Sequence, residues 1–204
     1  MNILITQVVT YEKKKGFIFS LSKDWIDYAS KIGLNLIPYN YNFQKSKLDK
    51  IKIDGLILSG GNDLSILNKN KANFFRDSQE LKILKYCLNN KIPILGICRG
   101  FQFISSYYKS KIYRCKKHVG TFHRINIMKS NYINSKKLHI NSFHNFCINE
   151  LFRKFNVISI YNDKSIEIAE YPEKKILCFM FHPERKNFTQ RSIDKYILNF
   201  FNKK

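Results

Sequence analysis

The sequence predicts an α/β protein built on an open, mostly parallel sheet with helices covering both faces. Short apolar runs alternate with segments of helical periodicity through the first half of the chain, the pattern of β-α-β units. Two of those runs, residues 53–59 and 92–97, are apolar almost without a break, as strands buried on both faces must be. A chain of 204 residues can bury one sizeable core but not two, so a single domain over 1–204 is expected.

Each element has its own local reason. Residues 2–9 read as the first strand. Over 20–32, Leu21, Trp25, Ala29 and Ile32 share one helical face, with a serine at the start and Gly33 just past the end. Residues 33–39 read as the second strand and 53–59 as the third. A helix over 74–88 aligns Phe74, Leu81, Leu84 and Leu88. The strand at 92–97 is entered through Pro93, and 99–108 reads as helical. The second half is β-rich and partly hairpin-like, with strands at 125–128, 156–161, 165–171 and 175–181 and a final helix over 189–201.

Composition narrows the function classes. The formal net charge of +21 comes from 29 Lys and only 7 Arg, alongside 28 Ile, 21 Asn and 3 Ala. Lys, Ile and Asn rising together while Ala falls is the mark of AT-rich coding bias, and nucleic-acid recognition favours Arg. The charge is therefore read as solvated surface lysine rather than a nucleic-acid site, and its use would be to concentrate anionic substrates. No run approaches the roughly 18 apolar residues of a membrane-spanning helix. Met1-Asn2-Ile3-Leu4-Ile5-Thr6 offers neither a basic leader nor a cleavage site, so a cytoplasmic protein is expected. Cys87, Cys98, Cys115, Cys147 and Cys178 form no CxxC pair, which gives no support to a disulfide framework or a structural zinc site, and no metal is expected.

The most informative stretch is Gly96-Ile97-Cys98-Arg99-Gly100. A buried strand runs into a helix through a G-x-nucleophile-x-G elbow, with Cys in the nucleophile position. Such a turn lifts Cys98 above the sheet edge and sets it at a helix N-terminus, whose partial positive charge favours a thiolate. The Arg99 N–H would then face a developing oxyanion. Taken alone, Cys98 reads equally well as a structural thiol. Of five histidines (118, 123, 139, 144 and 182), His182 stands out as a base. It follows an apolar strand and precedes Pro183 and Glu184; in extended backbone, residues i and i+2 project to one side, so Glu184 can hold one imidazole nitrogen. A third element, Ser59-Gly60-Gly61-Asn62-Asp63, ends a buried strand, and Gly60 or Gly61 could add a second oxyanion donor. It matches no phosphate-binding pattern, so no nucleotide cofactor is implied.

These three motifs together resemble the class I glutamine amidotransferase-like superfamily, and its γ-glutamyl hydrolase branch (peptidase C26) in particular. Arg76-Asp-Ser-Gln-Glu80 and Asn141-Ser-Phe-His144 are similar to the R-D-x-x-E and N-S-x-H elements of that branch. The resemblance implies a flavodoxin-like three-layer sandwich and cofactor-free hydrolysis of a γ-glutamyl amide through a glutamyl-thioester. It implies Cys98 as nucleophile, His182 as base and Glu184 as its orienter. Gly61 and Arg99 would supply the oxyanion hole. Gln102, Gly60 and the loop Asn141, Ser142 and Phe143 would bind the glutamyl group. Three positions depart from the branch: Phe146 where Gln is frequent, Lys109-Ser110 where Gly-Gly is, and Met180-Phe181 where Gln-Trp is.

Three functions stay open on these grounds. One is a stand-alone hydrolase of a γ-glutamyl conjugate with an anionic leaving group, a nucleotide amidate among the candidates; no synthase domain follows the last motif, and the basic segment 109–124 carries interleaved aromatics. Another is a glutaminase subunit supplying ammonia to a separate synthase, which predicts an exposed apolar docking patch. The third is a non-catalytic binding protein on the same fold.

Overall fold

The computed structural model describes residues 1–41 and 44–203; residues 42, 43 and 204 of the expected 1–204 unit lie outside the described residues. β1 (Asn2–Ile5) leads into a hairpin of β2 (Val8–Glu12) and β3 (Gly16–Ser20). Then come α1 (Lys23–Ile32), β4 (Asn35–Pro38), the short α2 (Lys45–Leu48), β5 (Gly55–Leu58), α3 (Lys71–Asn89), β6 (Ile94–Ile97) and α4 (Arg99–Tyr107). The second half holds β7 (Tyr113–Arg114), β8 (Val119–Asn126), β9 (Lys137–Phe143), β10 (Phe146–Cys147), β11 (Asn156–Ile160), β12 (Ile166–Tyr171), β13 (Ile176–Phe179) and α5 (Gln190–Asn202).

Among the described residues, seven strands form the central sheet in the order β11-β12-β13-β6-β5-β1-β4. β4, β1, β5, β6 and β13 run parallel, and β12 and β11 extend the sheet antiparallel. Counted along the chain, the five parallel strands lie 2-1-3-4-5, the flavodoxin-like order. The sheet is apolar on both sides because alternate residues of each strand face opposite layers. Ile3, Ile5, Ile57 and Ile97 pack with Trp25 and Ala29 of α1 and with Ile193 and Ile197 of α5. Leu4, Leu56, Leu58 and Ile94 pack with Ile83 and Leu84 of α3 and with Phe101 and Ile104 of α4. Each such side chain contributes about 1.5–3 kcal/mol on burial. No helix among the described residues is long and apolar enough to cross a membrane.

Several expected boundaries move for local reasons. The first strand stops at Ile5, not at residue 9: the Tyr41 hydroxyl binds both the N–H and the carbonyl of Gln7 and draws the chain off the sheet. The helix expected from residue 20 starts at Lys23, because Gly16–Ser20 pairs with β2. α3 starts earlier than expected, where the Asn70 side chain accepts from the Asn73 N–H at 2.9 Å. The strand expected at 125–128 is the far end of β8, which pairs with β9 as a separate two-stranded ribbon. Asn141, Ser142 and Phe143, expected on a loop, are the last residues of β9; Leu138 and Ile140 on the same strand are buried against the core beneath it. Lys109, at the position where the resemblance expects glycine, adopts φ 63°, a left-handed conformation that side chains resist.

Candidate active site

β6 and β13 lie side by side and parallel, with Phe179 opposite Ile97, so the residues that succeed each strand emerge at one edge of the sheet. Cys98 follows β6 with φ 51° and ψ −104°. For a non-glycine residue this is a strained backbone, of the kind that costs roughly 1–3 kcal/mol and persists only where its surroundings fix it. Here the Cys98 N–H donates to the Phe179 carbonyl at 2.7 Å, and the Gln102 N–H donates to the Cys98 carbonyl at 3.0 Å. Gly100 is required by close approach: a Cβ there would stand 2.0 Å from the Leu58 carbonyl oxygen. Cys98 keeps 7% of its surface exposed, whereas Cys87 and Cys178 are fully enclosed.

His182 follows β13, and its ring comes close enough to Cys98 for the sulfur to favour its charged form. Its Nδ1 lies 2.6 Å from Glu184 Oε1, so the ring stands between a sulfur and a carboxylate. Burial disfavours the imidazolium. Glu184 and then Cys98 favour it more strongly, and the pKa is pushed up to about 10. The peptide of His182 is fixed as firmly as its ring. Its N–H donates to Asn141 Oδ1 at 3.0 Å, and its carbonyl accepts from Asn141 Nδ2 at 2.7 Å and from Asn187 Nδ2 at 3.0 Å.

The glycine loop closes the other side. A Cβ on Gly60 would stand 2.7 Å from His182 Cε1, so only glycine lets this loop meet the ring. Gly61 follows with φ 110°. The loop is held by Arg76, which is fully buried. Its guanidinium donates to the carbonyls of Ser59 (2.9 Å) and Gly60 (3.0 Å), to Ser59 Oγ and to Asn62 Oδ1. Arg76 Nε also donates to Glu80 at 2.8 Å, and Glu80 with Asp77 binds the Arg99 guanidinium. Burial alone would raise the Glu80 carboxyl; Arg76 and Arg99 hold it below the usual carboxylate range. One buried ion network thus ties the glycine loop to the residue after Cys98.

The structure brings Cys98, His182, Glu184, Gly60 and the backbone of Arg99 to one place. It gives three of the expected substrate contacts other partners. The Asn141 side chain is engaged with the peptide of His182, and the Ser142 hydroxyl donates to the His118 carbonyl at 2.6 Å; both residues are fully buried. The Gln102 amide donates to the Phe146 carbonyl at 3.1 Å and is also buried. Of the three β9 residues expected to touch substrate, Phe143 alone remains open, with its ring centroid 6.2 Å from that of His182 and the exposed Arg185 guanidinium 4.7 Å above it. Sequence reading missed Asn187, which carries no motif, and did not assign work to Arg76, Asp77 and Glu80. Their i, i+4 spacing on α3 was the available signal.

The sequence model of the Peptidase C26 family matches residues 24–184. The chain belongs to that family. It is 37% identical over 151 residues to γ-glutamyl-CDP-amidate hydrolase of Campylobacter jejuni, an alignment covering 74% of this chain and 72% of that one. It is 28% identical over 175 residues to the carbamoyl phosphate synthase small chain of Helicobacter pylori, covering 81% of this chain and 43% of the relative. Among solved structures, a glutamine amidotransferase of Thermotoga maritima superposes with a TM-score of 0.65 at 16% identity, over 98% of this chain and 81% of that one. At that identity the likeness speaks for the fold, which is that of class I glutamine amidotransferases.

Proposed function

We propose that this protein is a cysteine-dependent hydrolase of a γ-glutamyl amide bond. The carrying observation is the juxtaposition at one sheet edge of a strained, edge-placed Cys98 with a His182 whose far nitrogen is held by Glu184. The family and the amidate hydrolase relative support the same reading. In this scheme the Cys98 thiolate attacks the γ-carbonyl carbon, and the carbonyl electrons move to oxygen. The backbone N–H groups of Arg99 and Gly61 stabilise that oxyanion, each worth about 10²–10³ in rate. His182 gives its proton to the departing nitrogen as the C–N bond breaks, leaving a glutamyl-thioester. The same imidazole then takes a proton from water, which attacks the thioester and releases glutamate. Gln102, Asn141 and Ser142 position this machinery through the carbonyls they bind, and Gly60 and Phe143 border the glutamyl site.

The substrate we favour is a conjugate with an anionic leaving group, such as γ-glutamyl-CDP-amidate. Arg185 and Lys186 stand exposed next to Glu184, where the departing half would emerge. A second reading, a glutaminase that feeds a separate synthase, is favoured by the likeness to carbamoyl phosphate synthase small chains. Incubation with glutamine, γ-glutamyl amines, γ-glutamyl peptides and γ-glutamyl-CDP-amidate, with glutamate release as readout, separates them. Release from a conjugate and not from glutamine selects the first reading. Release from glutamine that rises with a synthase selects the second. A protein inert toward all four would overturn both.

A further inference from the structure

About the ribbon of β8 and β9 lies a second cluster that the chemistry above does not use. His118, His123, His144 and Glu167 are all buried, and the half-exposed Cys115 adjoins them. They come from four separate segments: the stretch between β7 and β8, β8 itself, the turn after β9, and β12. One ligand atom from each of Cys115, His118 and His144 lies within 4.8 Å of the others, and the same holds for His118, His123 and Glu167.

The hydrogen bonds within the cluster leave a particular set of atoms over. His118 Nε2 lies 2.8 Å from Asp163 Oδ2, which makes Nε2 the protonated nitrogen and leaves Nδ1 a lone pair. His144 Nδ1 lies 3.1 Å from the Phe146 carbonyl and 3.5 Å from Cys115 Sγ; the carbonyl accepts only and the thiol can donate to the His144 carbonyl, so Nδ1 carries the proton and Nε2 the lone pair. Glu167 Oε1 takes the His123 Nδ1 bond at 2.8 Å. His118 Nδ1, His144 Nε2 and Glu167 Oε2 then have no partner among the described residues, although all three are buried. Orphaned buried acceptors are costly, about 1–3 kcal/mol each. His118 belongs to both groups and His144 Nε2 lies 3.8 Å from Glu167 Oε1, so the three orphans share one buried neighbourhood, an arrangement a cation resolves.

We propose that His118 Nδ1, His144 Nε2 and Glu167 bind one divalent transition-metal ion, of which zinc is the type. Two imidazoles and a carboxylate suit this borderline-soft ion. The outer partners fit too. Metal-bound histidines commonly donate their second nitrogen to a carboxylate or a carbonyl, which is what His118 does to Asp163 and His144 to Phe146. Tetrahedral bonds of about 2.0–2.2 Å space the ligand atoms roughly 3.3–3.6 Å apart. His144 Nε2 already lies 3.8 Å from Glu167 Oε1, and His118, which has a ligand atom within 4.8 Å of one on each of them, closes the set by turning toward both. Access is through a surface cavity of about 660 Å³ lined by Cys115, His118 and His144. Arg114, Lys116 and Lys117 at its rim are exposed, where ionic strength screens their repulsion.

The ion would be structural, and it would fix the floor of the active site. The Phe146 carbonyl that orients His144 also accepts from Gln102. The Glu167 carbonyl accepts from the Met180 N–H at 2.9 Å, two residues before His182.

The test is zinc content of the full chain after purification with and without added zinc, followed by desalting, together with thermal midpoints in the two preparations. The expected result is one equivalent retained and a midpoint that rises with zinc. His118→Ala and Glu167→Gln should lose the bound equivalent, whereas Cys98→Ala should keep it. Asp163→Asn should weaken affinity about 10–100-fold, as loss of an outer partner does. A folded wild-type chain that retains no zinc and shows no midpoint shift overturns the proposal, whatever the variants do. So does binding that disappears in Cys98→Ala, which would place the ion at the cysteine of the other site.

Discussion

His182 and His123 make the same chemical pair in two places. Both rings are buried, and both turn Nδ1 to a carboxylate, Glu184 at 2.6 Å and Glu167 at 2.8 Å. The difference lies across the ring. His182 meets Cys98, held by the elbow at φ 51°. His123 is stacked on Tyr161 with ring centroids 3.7 Å apart, and its other nitrogen lies 3.4 Å from the Thr121 hydroxyl. A histidine held by a carboxylate is therefore not in itself a reactive centre. In the proposed chemistry the sheet topology makes the difference, by ending β6 and β13 at a common edge and setting a strained thiol beside one ring. The other pair joins β8 to β12 and acts as scaffold.

The comparison breaks most sharply at Cys98. Cys98→Ala should lower glutamate release by about 10⁴-fold or more, as loss of a covalent nucleophile does. The thermal midpoint should stay close to wild type, because Ala keeps the Cβ and leaves the backbone strain at this position unchanged. Steady-state rates and a melting curve on the same preparation check both halves, and wild-type rates in the variant would remove the assigned nucleophile. Glu184→Gln comes next. It keeps a hydrogen-bond acceptor beside His182 and removes the charge, so the His182 pKa should fall and the rate should drop roughly 10²–10⁴-fold. His123→Ala should do the reverse. It strips a partner from the buried Glu167, a loss of about 3–5 kcal/mol, while the chemistry at Cys98 survives in the fraction that folds. For a chain of this length that is a fall of roughly 6–20 °C in midpoint. Equal rate losses in the two variants would dissolve the distinction between the pairs.

The residues that were legible in the sequence are those whose job is local. The Gly96–Gly100 elbow and the His182-Pro183-Glu184 run are read from neighbours along the chain, because a turn and an i, i+2 pairing are set within a few residues. The alternation that gave the parallel sheet is local in the same way. What escaped was set by partners far off in sequence. Asn141 was expected to touch substrate, and it clamps His182, 41 residues away. β9 was missed because it pairs with β8 in a ribbon apart from the main sheet, and its buried apolar signal is only Leu138 and Ile140. β2 and β3 were missed for a related reason. Their apolar residues pack on Tyr41 and Phe75, elements that a linear pattern does not bring together.

The smallest expected effect is a pH dependence, and it separates the two rings without chemistry. In the folded protein burial opposes the charged His182, but Glu184 and Cys98 outweigh it and the pKa stands near 10, against an ordinary value of 6.5. A group whose folded pKa is raised adds stability that is complete below the unfolded value and is lost as pH climbs toward the folded one. The window is thus about pH 6.5 to 10, and within it the slope cannot exceed about 1.4 kcal/mol per pH unit for one proton. The measurement belongs in a Cys98→Ala background, where Glu184 is the raising charge that remains. There the folded value lies below that of the intact pair, so the loss should begin near pH 6.5 and finish earlier. Midpoints of Cys98→Ala and of Cys98→Ala with His182→Gln, followed across this range, should converge as pH rises. Lysine and tyrosine titrations are common to both chains and cancel in the difference. Parallel curves would mean that His182 is neutral when folded and that Glu184 holds its ring without charging it.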